Sequence, residues 1–154
     1  MLIVVLSMFA SFLFVCLFVC LFCFVFLVFS SPSRDELTIG IAGFYDRSSK
    51  LWEDVWGEHM HHGYYNPPDR TDHQQAQVDL IDEVLKWAEV GSGTNITNVV
   101  DVGCGIGGSS RHIARKFGCS TTGITLSPYQ AKRANELATE QGLKDQCTFQ
   151  VRNY

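Results

Sequence analysis

The sequence predicts an α/β fold built on a parallel sheet, on three observations. A short β-branched run, Val99-Val100-Asp101-Val102, leads directly into Gly103-Cys104-Gly105-Ile106-Gly107-Gly108, four glycines in six residues. Two further strand candidates follow, each reached through a segment of helical periodicity. The order strand, helix, strand, helix, strand describes a right-handed parallel unit.

Upstream of this unit the composition divides sharply. Of the 154 residues, 12 are Lys or Arg and 16 are Asp or Glu, a net charge of −4, and no charged side chain occurs before Arg34. Residues 2–29 hold 26 apolar side chains, interrupted only by Ser7 and Ser11. As a helix they would extend about 42 Å, more than the roughly 30 Å of a bilayer's hydrocarbon core. With no Lys or Arg opposing insertion, 1–29 is expected to be a hydrophobic helix acting as leader or membrane anchor. A secretory signal would have a basic start and a run of roughly 7 to 15 apolar residues, and a transit peptide an amphipathic, Arg-rich character. If the anchor stays inserted, Arg34, Arg47 and Lys50 favour a cytosolic carboxyl side, with plastid or secretory placement as alternatives. Cys16, Cys20 and Cys23 read as small hydrophobes, and Cys104, Cys119 and Cys147 are too scattered for a disulfide scaffold or a zinc site. The acidic balance and the lack of a basic stripe argue against a nucleic-acid partner.

Residues 30–37, which include Pro32, read as a linker, and 38–92 as a helical amino-terminal cap. Trp52 and Trp56 are four apart, as are Leu51, Val55 and His59, so the spacing predicts a helix with an aromatic side ending near Gly63, ahead of Pro67 and Pro68. Thr71 and Gln74 match a capping box for a second helix. Its buried stripe would be Ala76, Leu80, Ile81, Val84, Leu85 and Ala88, up to Gly91.

Residues 93–154 read as the αβ domain. The Val99–Val102 run suits a strand buried on both faces. Ser109 or Ser110 would cap the following helix, which carries Ile113, Ala114 and Phe117 and ends at Gly118. Thr121 to Leu126 is the second strand. Ser127 is then the cap, Pro128 the first helical residue and Gln130 the residue reaching back. Ala131, Ala134, Leu137 and Ala138 run to a stop at Gly142, and Cys147, Phe149 and Val151 alternate as the third strand.

The glycine turn lies at the carboxyl end of a strand, where open α/β sheets place ligands, and bare backbone there lets a ligand approach closely. No Gly-Lys-Ser/Thr ending follows, which disfavours a nucleoside triphosphate. Gly103, Gly105 and Gly108 satisfy the spacing of a dinucleotide site, leaving that as a rival. Asp101 weighs against it: a carboxylate in an apolar strand needs a compensating donor or cation, and it would repel a pyrophosphate. A ligand ammonium would compensate it, which favours S-adenosyl-L-methionine.

Taken together, VVDVGCGIGGSSRHIARKFG, GITLSPYQAKRANELA and the upstream FYDRSSKLWEDVWGEHMHHGYYNP resemble the class I S-adenosylmethionine-dependent methyltransferases. More narrowly, they resemble the plant γ-tocopherol methyltransferases and related indole alkaloid N-methyltransferases, over roughly Ile39 to Val151. The resemblance implies a Rossmann-like fold and transfer of a methyl group from S-adenosyl-L-methionine to a small plant molecule, a tocopherol-like phenol or an indole alkaloid. It implies that Asp101, Gly103, Cys104, Gly105 and Gly107 belong to the first cofactor motif, with Asp101 on the ammonium side. Thr125, Leu126, Ser127 and Gln130 match the block around the end of the second strand. That block has no acidic residue for the ribose, so backbone together with Ser127 or Gln130 would serve. Tyr45, Tyr64 and Tyr65 match the cap, the last two as donors to the cofactor carboxylate, and Asn153 would accept from the adenine amino group.

No catalytic residue is assigned. His59, His61 and His62 lack a second converging cluster, so structural roles outweigh metal ligation, and one could serve as a base towards a phenol or amine. The chain stops just after the third strand, whereas the resemblance implies further strands and an acceptor pocket. The expected fold is therefore the truncated amino-terminal half of the domain, with weak cofactor binding and no turnover, and its open edges would permit a homodimer. The alternative is a non-catalytic isoform or partner-binding fragment.

Overall fold

Two helices precede the sheet in the computed structural model, which describes residues 31–91 and 93–153. Helix α1 is Arg34–Trp56. Asp35 and Glu36 fall in its first turn, where carboxylates are favoured by the helix dipole. This corrects the expected linker, because residues 34–37 are helical, and it moves the helix end from Gly63 to Trp56. Gly57 stops it at φ 87, in the left-handed region that favours glycine. Of its side chains only Ser49 is buried, while Leu37, Ile39, Phe44, Leu51 and Val55 are exposed. The hydrophobic helix expected over 1–29 lies outside the described residues. Among the described residues, no helix is long and apolar enough to cross a membrane.

Helix α2 is His73–Trp87. Its cap is Asp72, whose carboxylate accepts from the Gln75 N–H at 2.9 Å, one residue beyond the expected Thr71 and Gln74 pair. A carboxylate is the stronger acceptor at a helix start and also interacts with the dipole, so Asp72 displaces the threonine. Ala76 and Ile81 are buried as expected, but Val84 is exposed. The helix ends at Trp87 with Ala88 as its C-cap, followed by Glu89 at φ 58, before the expected Gly91.

Strands β1 (Asn98–Val102), β2 (Ser120–Thr125) and β3 (Cys147–Val151) form a parallel sheet in the order β1-β2-β3. Asp101 is level with Gly123, and Gly123 with Phe149. Helix α3 (Gly108–Phe117) connects the first pair and α4 (Pro128–Glu140) the second. The α/β class and the parallel crossovers are as expected. The full burial of β1 is not, since Val100 and Val102 are 67% and 57% exposed. β1 is an edge strand among the described residues, and alternate side chains on it face no covering element.

Cys104, Ala114, Ala134, Ala138, Leu143, Cys147 and Phe149 form the core. Small residues on α3 and α4 let both helices approach the sheet, and Phe149 fills the space they leave. A Cβ on Gly107 or Gly123 would enter the Phe149 ring, so glycine at both positions allows this packing.

Candidate cofactor site

The turn after β1 is stitched to the neighbouring strand. The Gly103 and Cys104 N–H groups both donate to the Ile124 carbonyl, at 2.9 and 3.1 Å. Gly107, at φ 79, is the cap of α3, so neither Ser109 nor Ser110 takes that role. The Ser110 hydroxyl instead donates to Asp101 Oδ2 at 2.6 Å, because an ionised carboxylate is a better acceptor than any group at the helix start. Asp101 is half-buried, and Oδ1 makes no hydrogen bond among the described residues.

A cleft of about 440 Å³ opens over this turn, lined by Ile41, Tyr45, Met60, Gly103, Gly105, Thr125, Leu126, Gln130 and Asn153. Gly103, Gly105, Thr125 at the end of β2, Leu126 and Gln130 beyond it, Tyr45 and Asn153 are thus brought together in one cleft. Gly105, at φ 55, presents backbone to the cleft, and a Cβ there would strike Met60. Ile41 and Met60 also line it; each is an ordinary apolar residue whose type carries no local signal of a site role.

Several expected site residues lie elsewhere. Cys104 faces the core, where burial and the Asp101 charge push its thiol up to about 12. Gly107 is sealed against Phe149. Ser127 is 0% exposed; its hydroxyl donates to Asp46 Oδ1 at 2.5 Å and accepts from the Gln130 N–H at 3.0 Å. Gln130 does line the cleft, but its side chain does not reach back to the cap, because Nε2 donates to the Ser49 hydroxyl and Oε1 accepts from Thr125 Oγ1. Tyr64 and Tyr65 are outside the cleft lining. The Tyr64 N–H donates to the Ala76 carbonyl and the Tyr65 hydroxyl pairs with His73 Nδ1 at 2.8 Å, which ties this segment to α2.

Arg111 is the largest fully buried side chain among the described residues. It donates from Nη1 to the Ile106 carbonyl at 2.6 Å, from Nη2 to Glu58 at 2.8 Å and from Nε to Gln141 at 3.1 Å. One guanidinium therefore joins the glycine turn, the cap segment and the end of α4. Burial alone would raise the Glu58 carboxyl, but hydrogen bonds from Gln141 and Arg111 outweigh it and hold the group low. Burial, reinforced by His61 and Arg111, depresses His59 to about 4. Gln77 donates to the carbonyls of both His59 and His61, fixing this loop from α2.

A wider hollow of about 600 Å³ lies between α1 and α2, bordered by Glu53, Asp54, Glu58 and Asp72. Glu53 and Glu58 are already engaged by Arg133 and Arg111, and neither a strand end nor the Gly103–Gly108 turn is in its lining, which makes the smaller cleft the chemically apt one.

The mycolic acid cyclopropane synthetase family model matches residues 33–154. The chain belongs to this family. Within it, the chain is 50% identical over 130 residues to the chloroplastic tocopherol O-methyltransferase of Arabidopsis thaliana, covering 79% of this chain and 37% of that protein. Ajmaline N-methyltransferase of Rauvolfia serpentina is 41% identical over 116 residues, covering 72% of this chain and 40% of that protein. The chain therefore spans well under half the length of these relatives. A solved geranyl diphosphate methyltransferase, bound to geranyl diphosphate and sinefungin, superposes with a TM-score of 0.61 at 26% identity, over 75% of this chain and 48% of that one. The resemblance to tocopherol and alkaloid methyltransferases is borne out by these relatives.

Proposed function

We propose that this protein binds S-adenosyl-L-methionine and takes part in methylating a small plant molecule. The observation that carries the reading is the cleft in which the glycine turn after β1 faces Thr125 and Leu126 at the end of β2, with Asp101 two residues before Gly103. Its volume of about 440 Å³ falls within the roughly 300–1,000 Å³ usual for small-molecule sites.

The residues fit the cofactor's chemistry. Asp101, with one carboxylate oxygen turned to Ser110, holds the ammonium side, and the bare backbone at Gly103 and Gly105 admits the methionyl part. Ile41, Met60 and Leu126 offer apolar surface to the adenine, and the Asn153 amide oxygen accepts from its amino group. The ribose is held by backbone at Thr125 and Leu126, since the Ser127 and Gln130 side chains are already engaged. When bound, the cofactor supplies an electrophilic methyl group to an oxygen, nitrogen or carbon of the acceptor. This chain's residues orient that group and shield it from water. The relatives named above include a tocopherol and an ajmaline methyltransferase, and both acceptor classes remain in the reading.

Titration calorimetry of the 154-residue chain with S-adenosylhomocysteine, with NAD as competitor, tests the cofactor. Binding displaced by NAD would favour a dinucleotide enzyme. Methyl transfer from labelled cofactor to γ-tocopherol or to a secondary-amine indole alkaloid tests the acceptor class. The Arabidopsis relative is chloroplastic, which favours the plastid alternative for location. The apolar composition of residues 2–29 supports membrane association, and the edge at Val100 and Val102 a homodimer. A fluorescent fusion of residues 1–40 followed through fractionation would test the first two, and sedimentation the third.

A further inference from the structure

Three rungs join α1 to the start of α4 beside the cofactor cleft. Asp46 Oδ1 accepts from the Ser127 hydroxyl at 2.5 Å and from the Tyr129 N–H at 3.1 Å. One turn on, the Ser49 hydroxyl accepts from Gln130 Nε2 at 2.9 Å. Another turn on, Glu53 accepts from Arg133 Nη2 at 2.8 Å, a bond that raises the Arg133 pKa. Residues 46, 49 and 53 share one face of α1, and 127, 130 and 133 one face of α4, so the rungs are set by helical spacing on both sides.

The segments these rungs join also carry the walls of the cleft, and Gln130 of the second rung lines it. Ile41 and Tyr45 line it from α1, and Thr125, Leu126 and Gln130 from the opposite side. The first rung lies next to the cleft, one residue beyond Tyr45 on one side and one beyond Leu126 on the other. Asp46 also completes a double cap on α4. Ser127 satisfies the Gln130 N–H and Asp46 the Tyr129 N–H, so a carboxylate from a distant helix occupies the positive end of α4. The single hydroxyl hydrogen of Ser127 is committed to Asp46, which leaves the ribose to the backbone.

We propose that Asp46 is a positioning residue for the cofactor: through Ser127 and Tyr129 it fixes the Thr125–Leu126 lip against α1 and so sets the width of the nucleoside end of the cleft. The proposal rests on the cofactor reading above. Its effect reaches the ligand through the lip, so it acts on the nucleoside half rather than the methionyl half.

The test is titration of the 154-residue chain with S-adenosylhomocysteine and with 5′-methylthioadenosine, which lacks the amino-acid part. Asp46→Ala should weaken both ligands by a similar factor, about tenfold, with unchanged stoichiometry (two lost charge-assisted bonds leave the lip unfixed). Asp46→Asn retains an acceptor oxygen and should stay within about threefold of the original affinity. Ile81→Ala, a core change on α2 away from the rungs, should lower the unfolding midpoint while leaving affinity per folded molecule unchanged. Unaltered affinity in Asp46→Ala, or loss of S-adenosylhomocysteine binding alone, would overturn the proposal. So would an equal loss in Ile81→Ala, which would reduce the effect to stability. If the unsubstituted chain binds neither ligand, the cofactor reading falls and this proposal falls with it.

Discussion

Gly107 shows how one missing side chain fixes the turn. It sits at φ 79, and a Cβ would collide with the Phe149 ring and press on Ala134. Gly107→Ala therefore combines left-handed strain with overpacking, and it should lower stability by roughly 2–4 kcal/mol, read as an earlier urea midpoint with little change in slope. Cys104 illustrates the opposite relation between sequence and role. Its place inside the glycine motif implies a cofactor contact through backbone, while its side chain belongs to the core beneath the turn. Burial and Asp101 push the thiol up to about 12, so at neutral pH it carries almost no thiolate. Native protein should leave Cys104 unmodified by iodoacetamide over a time that labels it fully in denaturant, as peptide mass mapping would show.

At the level of elements, α4 was the most legible and α1 the least. Ser127, Pro128 and Gln130 encode the start of α4 locally, and the structure forms that start where the pattern puts it. Only the destination of the Gln130 side chain has no local signal, because Ser49 lies 81 residues away. The start of α1 was obscured by Pro32 and the short polar stretch after the apolar run, although Asp35 and Glu36 suit a first turn. Asp46, Ser49, Glu58 and Arg111 carry no local signal at all; their roles exist only once α1, α3 and α4 are packed together. The Ser127 cap gives a direct measure of this packing. Ser127→Ala removes one acceptor at α4 and leaves Asp46 with the Tyr129 N–H alone, so a loss of roughly 1–2 kcal/mol is expected from chemical denaturation. Ser127→Thr should recover part of it.

For the molecule as a whole, the buried connection between the cap segment and the αβ unit makes stability depend on pH in a defined direction. His59 is depressed from an ordinary value of 6.5 to about 4, first by burial and then by the His61 and Arg111 charges, with Glu58 opposing. The unfolded chain therefore takes up a proton at His59 near pH 6.5 that the folded chain refuses until about pH 4. Folding is favoured by this group above pH 6.5, and that contribution declines as pH falls from 6.5 towards 4. Glu58 and Asp82 are held below their ordinary values despite burial. Gln141 and Arg111 hold the first, and Lys116 and His112 the second, so their contributions are lost only at lower pH. The interval between about pH 5 and 6.5 consequently reports His59 with little interference from these carboxylates. Urea titrations across it should show a falling midpoint whose slope approaches uptake of about one proton on unfolding near pH 5. His59→Phe should flatten that slope, whatever it does to absolute stability. A slope that persists undiminished in the variant would mean that His59 is not the half-buried neutral group behind the pH dependence.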